Sequence, residues 1–237
     1  MADFTRTTRR PTVTVVIPVH NEASFLPGAL PRLFDELGTV DAEISVLVVE
    51  NGSTDNTADL VRDAMSTHPN LELLQLETPD YGAAMRDGFL QAGGEWVANF
   101  DIDYFSGDFL TNALALADSA DIVLASKRAA GADDRRSPMR RFATWTFNQI
   151  LRFALSSGVS DTHGMKLVSK TLVDDIAPSV ISTTDLFDTE LVVRAERAGY
   201  QITELPASVE ELRETKSNLV KRVPRTLKGV WRIRRSL

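Results

Sequence analysis

The feature that most constrains the fold is an alternation of short apolar, β-branched runs with segments whose apolar residues recur at helical spacing. Five runs predict buried strands: Val13–Val19, Ile44–Glu50, Leu71–Leu76, Trp96–Phe100 and Asp121–Ser126. Strands that alternate with helices need crossover connections, which give a mostly parallel sheet with helices on both faces. The sequence therefore predicts a single α/β domain of Rossmann-like layout.

The second half of the chain is less regular. The charged segment Lys127–Arg141 contains a glycine and a proline and predicts a loop. Helices are predicted over residues 142–156 and 186–198, and Gly199 is a typical left-handed stop for the second of them.

The chain ends in a strongly basic segment, Lys216–Leu237, which holds eight Lys or Arg residues and no acidic residue. The preceding part, residues 1–215, keeps 18 of the 26 basic residues and all 33 acidic ones, so the body is acidic. Such a body disfavours broad nucleic-acid binding, which depends on neutralising phosphates. Pro224 is expected to break any continuous helix in the basic segment.

The composition narrows the class of protein further. With 237 residues, the chain is long enough to bury a large core. It has no cysteine, which excludes disulfides, thiolate metal sites and a cysteine nucleophile. The polar N-terminus lacks the apolar stretch of a secretion signal, and no window is apolar enough to cross a bilayer. We expect a cytoplasmic protein, with peripheral attachment at the inner face of the membrane as a further expectation.

Polar clusters follow each of the first four predicted strands. Ligands of open parallel sheets bind beyond the carboxyl ends of the strands, so this rule selects four candidate positions. They are His20-Asn21-Glu22, Glu50-Asn51-Gly52, Asp80-Tyr81-Gly82 and Asp101-Ile102-Asp103.

Asp101 and Asp103 are the candidate metal ligands. In an extended chain, side chains two positions apart lie on one face, so both carboxylates can reach one cation. Mg²⁺ commonly binds one or two carboxylates and completes its shell with water and substrate phosphates. The alternative is that both residues only end a strand and cap the next helix. The polar strand ends beside them favour binding of Mg²⁺ or Mn²⁺, which would compensate the negative charge of a departing diphosphate.

A nucleoside is expected over the first two strand ends. Glu22 or Glu50 could accept hydrogen bonds from ribose hydroxyls or base N–H groups, although Glu22 could equally compensate a helix N-terminus. No G-x-G-x-x-G pattern follows the first strand, which disfavours a dehydrogenase.

Four segments in order, VVIPVHNE, VVENGSTDNT, DYGAAMRDGF and FDIDYFSGDFL, resemble the successive signatures of family 2 glycosyltransferases with the GT-A fold. Two later segments, DTHGMKLVSK and FDTELVVRAERAGYQITELP, are similar to motifs of the polyprenyl-phosphate (dolichyl-phosphate) mannosyl- and glucosyltransferases within that family. The chain differs from the usual family pattern at Glu50-Asn51, where two aspartates are common, and at Tyr104-Phe105 after the D-x-D.

The resemblance implies residue roles at the matching positions. Asp101 and Asp103 would act in catalysis through the metal and the diphosphate. The residues implied to bind the nucleotide-sugar are Pro18, His20, Glu22, Glu50, Asn51, Gly52, Asp80, Gly82, Arg86 and Asp101.

The acceptor could be a phosphate or a hydroxyl. A phosphate monoester is mostly dianionic at neutral pH, so it needs no general base but needs cations to hold it. Arg128 is the main candidate for that role and for catalysis, with Lys166 and Arg213 as further acceptor-binding residues; other candidates in the same loop are Lys127, Arg135, Arg136, Arg140 and Arg141. For a hydroxyl acceptor, Asp188 and Glu190 are the candidate bases, unless they only cap and solvate a helix.

The basic tail interleaves apolar residues with cations. Such a segment can lie on an anionic membrane, or it can dock on the acidic body, for instance at a dimer contact. The predicted function is metal-dependent, inverting transfer of a hexose from a GDP- or UDP-sugar to a polyprenyl phosphate. The alternatives are the same donor chemistry with a soluble hydroxyl acceptor, a non-catalytic sugar-nucleotide binder and, more weakly, a nucleotidyltransferase.

Overall fold

The computed structural model describes residues 9–126, 133–134, 146, 149, 154–155, 157–159, 162, 164–183, 186–209 and 219–237. The strands of its described part are β1 (Thr12–Val19), β2 (Glu43–Asn51), β3 (Leu71–Leu76), β4 (Trp96–Asn99), β5 (Ile122–Ser126), β6 (Asp133–Asp134), β7 (Lys166–Ser169), β8 (Ile202–Pro206) and β9 (Ser208–Val209). The helices are α1 (Leu26–Leu37), α2 (Thr57–Met65), α3 (Tyr81–Gln91), α4 (Gly107–Leu114), α5 (Lys170–Ile176), α6 (Phe187–Ala198) and α7 (Leu219–Ser236).

One seven-stranded sheet organises the molecule, in the order β3-β2-β1-β4-β7-β5-β8. Strands β1 to β4 are parallel to one another, and β5 pairs in parallel with β8. Strand β7 is antiparallel to both β4 and β5. The predicted mostly parallel α/β sheet is therefore confirmed, with one reversed strand that the sequence analysis did not predict.

Both faces of the sheet are buried, which explains the nearly continuous apolar runs of its strands. In β1, Val15 and Ile17 pack with α1 and α4 in one cluster, whereas Val16 packs on the other face with α3, α5 and α6. The predicted placement of helices on both faces is thus confirmed. Gly199 ends α6 with φ +89°, the left-handed stop that was predicted.

The C-terminal helix α7 docks on the body of the protein. Val230 and Ile233 are buried in a third apolar cluster with Leu155, Leu186 and Val193. The expectation that Pro224 breaks the helix is wrong, because α7 runs from Leu219 to Ser236 without interruption. A proline in a helix removes one hydrogen bond and costs about 3 kcal/mol, which the tertiary packing of the later turns can offset.

No helix in the described ranges is long and apolar enough to cross a membrane. Most of the predicted loop Lys127–Arg141 and of the helix over residues 142–156 lies outside the described residues, as do residues 210–218.

Candidate functional site

The carboxyl ends of β1 to β4 lie side by side at one edge of the sheet. Val19 of β1 is paired with Glu50 of β2, which is paired with Gln75 of β3. At the last residue of β4, Asn99 is paired with Lys166, the first residue of the reversed strand β7. The four predicted polar clusters and the start of β7 therefore share this edge.

The loops after β1 and β2 are fastened to each other. The His20 ring donates from Nδ1 to the carbonyl of Asn51 at 2.8 Å, since a carbonyl oxygen can only accept. Asn21, with φ 55°, donates its backbone N–H to the Ser53 hydroxyl at 2.9 Å and accepts the Thr54 N–H through Oδ1 at 2.8 Å. These contacts fix the shape of the loops over which a nucleoside is expected.

A second set of contacts joins the start of the α1 region to α2. The buried Thr57 hydroxyl accepts the Glu22 N–H at 2.9 Å and donates to Asp55. Asp55 also accepts the Ala23 N–H at 3.2 Å. The hydrogen bond from the Thr57 hydroxyl lowers the pKa of Asp55 below its ordinary value of 3.8. Glu22 itself is half-buried at the rim of the edge.

Glu50 and Asn51 brace loops from beneath. Both side chains are buried. Glu50 accepts the backbone N–H of Ser53 and a hydrogen bond from Gln75 at 3.3 Å, one on each carboxylate oxygen. Asn51 Oδ1 accepts the backbone N–H of Asp80 at 2.7 Å. Both were predicted to bind the nucleotide-sugar; their described polar contacts are with the protein itself.

Asp80 and Arg86 belong to α3. Asp80 is its N-cap and accepts the Ala83 N–H at 3.1 Å, a typical capping bond. Arg86 lies on the half-exposed face of the helix and pairs with Asp87 at 3.4 Å. Their predicted contacts with the nucleotide-sugar stay predictions.

Two glycines at the edge allow close backbone approaches. Gly52 has φ +63°, and a Cβ there would lie 2.8 Å from the backbone nitrogen of Pro79. A Cβ on Gly82 would lie 2.4 Å from the carbonyl carbon of Thr183, to whose oxygen the Gly82 N–H donates at 3.1 Å. At both positions the absence of a side chain therefore allows two loops of the edge to pack closely against each other.

The D-x-D segment is a tight turn, so the expectation of an extended chain at this point is wrong. The Tyr104 N–H donates to the Asp101 carbonyl at 2.9 Å, and the Asp101 N–H donates back to the Tyr104 carbonyl at 3.2 Å. Ile102, inside the turn, is buried in the core, and this burial stabilises the turn conformation. Asp101 and Asp103 are half-buried on this turn at the end of β4.

The donor set at this turn fits a hard divalent cation that is shared with a phosphate ligand. In the described part of the chain, no group of three or more His, Cys, Asp or Glu side chains could hold a metal. Two carboxylates alone are too few for a closed protein site, but they match Mg²⁺ or Mn²⁺ that takes its other ligands from water and a diphosphate. Asp101 and Asp103 are the residues that would hold it.

A buried ion pair lies beside the end of β4. Lys166 Nζ donates to Asp188 Oδ1 at 2.8 Å, to Asn99 Oδ1 at 2.6 Å and to the Gly164 carbonyl at 3.0 Å. The other oxygen of Asp188 accepts the Tyr81 hydroxyl at 3.0 Å. The ammonium group of Lys166 is buried and has three protein oxygens as partners, and the predicted contact of Lys166 with the acceptor stays a prediction.

Glu190, the second candidate base, is fully buried two residues further along α6. Its carboxylate accepts the backbone N–H groups of Ile181 and Ser182 at 3.1 and 2.8 Å, and Arg194 donates to it at 2.7 Å. Glu190 therefore anchors the segment that precedes α6.

Some predicted site residues lie outside the described part of the chain. These are the acceptor-loop cations Lys127, Arg128, Arg135, Arg136, Arg140 and Arg141, together with Arg213. Pro18, the remaining predicted nucleoside contact, is half-buried near the end of β1.

The sequence analysis missed Asn99 and the hydroxyl of Tyr81 as members of the edge. Asn99 is a buried amide at the end of an otherwise apolar run, and a buried polar residue in that place is a signal that could have been followed. Tyr81 stands inside the D-Y-G motif, and nothing local shows that its hydroxyl reaches α6.

Comparisons with known proteins agree with this arrangement. The family model described as Glycosyl transferase family 2 matches residues 14–176. A dolichyl-phosphate beta-glucosyltransferase from Trichomonas vaginalis is 28% identical over 225 residues, or 87% of this chain and 66% of that protein. An undecaprenyl-phosphate mannosyltransferase from Micrococcus luteus is 28% identical over 207 residues, or 84% of each protein. This chain thus spans just under two thirds of the first relative's length and most of the second's.

The fold also matches solved structures. Glucosyl-3-phosphoglycerate synthase from Mycobacterium tuberculosis, in complex with Mn²⁺, UDP and glucosyl-3-phosphoglycerate, superimposes with a TM-score of 0.68 at 16% identity. The match covers 94% of this chain and 80% of the synthase. At this identity the likeness concerns the fold alone, and it confirms the predicted GT-A layout.

Proposed function

This chain belongs to glycosyl transferase family 2, and we propose that it transfers a hexose from a GDP- or UDP-linked donor to a polyprenyl phosphate, with inversion at the anomeric carbon. The names of the relatives support a polyprenyl phosphate acceptor. The observation that carries the proposal is the pair of aspartates on the Asp101–Tyr104 turn. The turn lies at the edge of the sheet formed by the carboxyl ends of β1 to β4, which we call the ligand edge.

The donor side requires charge compensation at the leaving diphosphate. A divalent cation held by Asp101 and Asp103 would supply it in the low-dielectric site. The fastened loops after β1 and β2 would orient the nucleoside, with His20 and Glu22 at their rim and Glu50 holding the loop from below. Orientation of this kind lowers the barrier because the reacting groups need no further ordering.

The acceptor side favours a phosphate over a hydroxyl. A hydroxyl acceptor needs a base with a carboxylate oxygen open to the acceptor. Asp188 is buried with Lys166 and Tyr81 as donors, and Glu190 is buried with three donors. A phosphate dianion needs no base: its oxygen forms the bond to the anomeric carbon while the bond from that carbon to the diphosphate breaks. We propose that Arg128, with Arg213, holds this phosphate.

The buried Lys166–Asp188 pair has a positioning role in this scheme. It ties the start of β7 and the end of β4 to the first turn of α6. Tyr81 extends the connection to the first turn of α3. These contacts keep four elements of the ligand edge in register, and they place no uncompensated charge in the protein interior.

Substitution of the turn aspartates tests the donor chemistry. Asp101→Asn and Asp103→Asn are each expected to reduce transfer at least about 100-fold, the scale of losing a group that stabilises transition-state charge. Asp108→Asn, an exposed aspartate in the first turn of α4, is the matched control and should keep wild-type activity. The measurement is incorporation of labelled sugar into extracted lipid, with Mg²⁺ or Mn²⁺ and with chelator, alongside circular dichroism to verify the fold.

The same assay separates the alternatives. Full transfer in the presence of chelator, or by Asp101→Asn, would contradict the metal-assisted mechanism. Transfer to a soluble acid or glycan, with none to a polyprenyl phosphate, would establish the hydroxyl-acceptor alternative. Nucleotide-sugar binding with no turnover on any acceptor would leave the non-catalytic binder.

A further inference from the structure

We propose that α7 packs on α6 with one face and binds an anionic lipid bilayer with the opposite face. This arrangement places the bilayer surface next to the ligand edge of the sheet. The inference rests on the proposed lipid-phosphate acceptor. It goes beyond that function by assigning the docking surface, its partner and its direction relative to the site.

The inner face of α7 is closely packed. Val230 and Ile233 are fully buried against Leu186 and Val193. Gly229 brings the helix backbone against Leu186, since a Cβ at this position would lie 2.3 Å from its Cδ1 atom. The helix is therefore part of the folded body and is held in a fixed orientation.

The outer face presents an apolar pair that is flanked by cations. Leu227 is 46% exposed and Trp231 is 58% exposed, and they lie one turn apart on the helix. The guanidinium of Arg235 stacks over the Trp231 ring at 4.6 Å from its centroid. Three further cations of the helix, Lys228, Arg232 and Arg234, are exposed.

This combination is typical of helices that lie in a membrane interface. Such helices insert Trp and Leu side chains at the boundary of the acyl chains, and Lys and Arg contact anionic headgroups. An aromatic ring with a cation above it suits this depth, where apolar and charged surroundings meet. A bilayer with acidic lipids therefore complements both features of the outer face.

A second copy of the chain is a poorer occupant for this face. Its acidic body could attract the cations, but stable protein interfaces bury about 800 Å² on each partner around an apolar centre. Two exposed apolar side chains set among cations offer far less apolar surface than that. The bilayer needs only shallow insertion and charge attraction.

The first half of α7 extends beyond the end of α6 that lies at the ligand edge. Gly229 contacts Leu186 at the start of α6, and the Ser236 hydroxyl accepts from Arg194 two turns later at 2.8 Å. The two helices therefore point in the same direction. The ten steps from Leu219 to Gly229 rise about 15 Å at 1.5 Å per residue, so the first half of α7 extends past the start of α6.

The start of α6 belongs to the ligand edge, because Asp188 in its first turn bonds to Lys166 opposite the end of β4. The overhanging half of α7 thus extends on the side of the sheet where the sugar is transferred. A bilayer in contact with α7 would present a lipid phosphate at that same edge, so the acceptor need not leave the membrane.

Vesicle binding tests the surface directly. The full-length protein is sedimented with phosphatidylcholine vesicles, with or without phosphatidylserine. We expect binding only to the anionic vesicles. Leu227→Gln with Trp231→Gln should weaken it at least about tenfold, and Lys228→Gln with Arg232→Gln about fivefold for each charge removed.

The matched control replaces two comparably exposed apolar residues elsewhere, Met65→Gln with Leu90→Gln, and should bind like the wild type. Melting temperatures of all variants verify that α7 remains docked. The inference is overturned if the α7 variants bind anionic vesicles as the wild type does, or if the wild type does not prefer them. It is also overturned if the α7 variants only convert a dimer to a monomer in sedimentation equilibrium.

A second assay separates this inference from the proposed function. Sugar transfer is measured to a polyprenyl phosphate embedded in anionic vesicles and to a short-chain, water-soluble polyprenyl phosphate. The Leu227→Gln, Trp231→Gln variant should be slower only with the embedded acceptor. A wild type that binds vesicles but transfers to neither acceptor refutes the proposed function and leaves the membrane surface supported. Equal slowing on both acceptors overturns the membrane role.

Discussion

Replacement of Lys166 by methionine should destabilise the protein by about 3–5 kcal/mol, the cost of leaving one member of a buried ion pair without its partner. The side chains of Lys166 and Asp188 are 1% and 3% exposed, and the two charges are 2.8 Å apart. With the ammonium group gone, Asp188 loses its cationic partner and keeps the hydrogen bond from the Tyr81 hydroxyl. The Asn99 amide and the Gly164 carbonyl also lose a donor.

The double variant Lys166→Met, Asp188→Leu reveals whether the charges depend on each other. Removing both leaves no buried charge at the site of this pair, and well-packed apolar residues often replace such pairs at little cost. We therefore expect the double variant to lose about 2–3 kcal/mol less than the sum of the two single variants. Its transfer activity should nevertheless be low, because the four elements of the ligand edge lose their connection.

The assay is urea unfolding followed by circular dichroism for the wild type, both single variants and the double variant. Lys170→Met is the matched control, because Lys170 pairs with Asp174 at the surface one turn apart. An exposed pair of this kind contributes about 0.5 kcal/mol. Strictly additive losses at Lys166 and Asp188, or a Lys166→Met variant as stable as the control, would refute the argument.

Two further predictions concern the edge loops. Gly82→Ala should lower the free energy of unfolding in urea by about 1–3 kcal/mol, because the new Cβ would overlap Thr183. The control Gly28→Ala, where the space around the Cβ in α1 is open, should be neutral or stabilising. Equal effects of the two substitutions would contradict this prediction. Thr57→Val should raise the pKa of Asp55 toward 3.8 in an NMR titration. A carboxyl pKa that is lower in the folded state stabilises the fold at pH values above the ordinary pKa, and this stabilisation is lost as the pH falls through the folded-state pKa. The wild type should therefore lose more stability on acidification than the variant. Identical titrations of Asp55 in the two proteins would rule this out.

The parallel core of the fold could be predicted because its signal is local. The predicted bounds of β1 to β5 agree with the structure to within one residue, since each strand is a short apolar run with a polar cluster at its end. The candidate ligand positions were predicted from the topology of such sheets, and the polar clusters do share one edge. The family motifs added the residue roles, which remain predictions.

The reversed strand β7 could not be predicted from its own sequence. It has four residues and begins with a lysine that would ordinarily be exposed. Its burial depends on Asp188, which follows 22 positions later on α6. Periodicity does not reveal a contact of this kind, so the sequence alone does not predict that Lys166 is buried in an ion pair.

The D-x-D turn and α7 show how tertiary context overrides local rules. The turn forms where Ile102 can reach the core, which an alternation of side chains along an extended strand does not foresee. α7 continues through Pro224 while Val230 and Ile233 bind the helix to the body. In each case a buried apolar contact decides the local conformation.

The antiparallel direction of β7 has a consequence for how such a sheet can diversify. Because β7 starts where β4 ends, the edge receives side chains from a strand's beginning as well as from strand ends. The segment that leads into β7 is separate in the chain from the loops that follow β1, β2 and β3. Under the proposed function, one inverted strand would let the sugar donor and its acceptor be bound by separate stretches of the polypeptide, so that one stretch could vary while the other is kept.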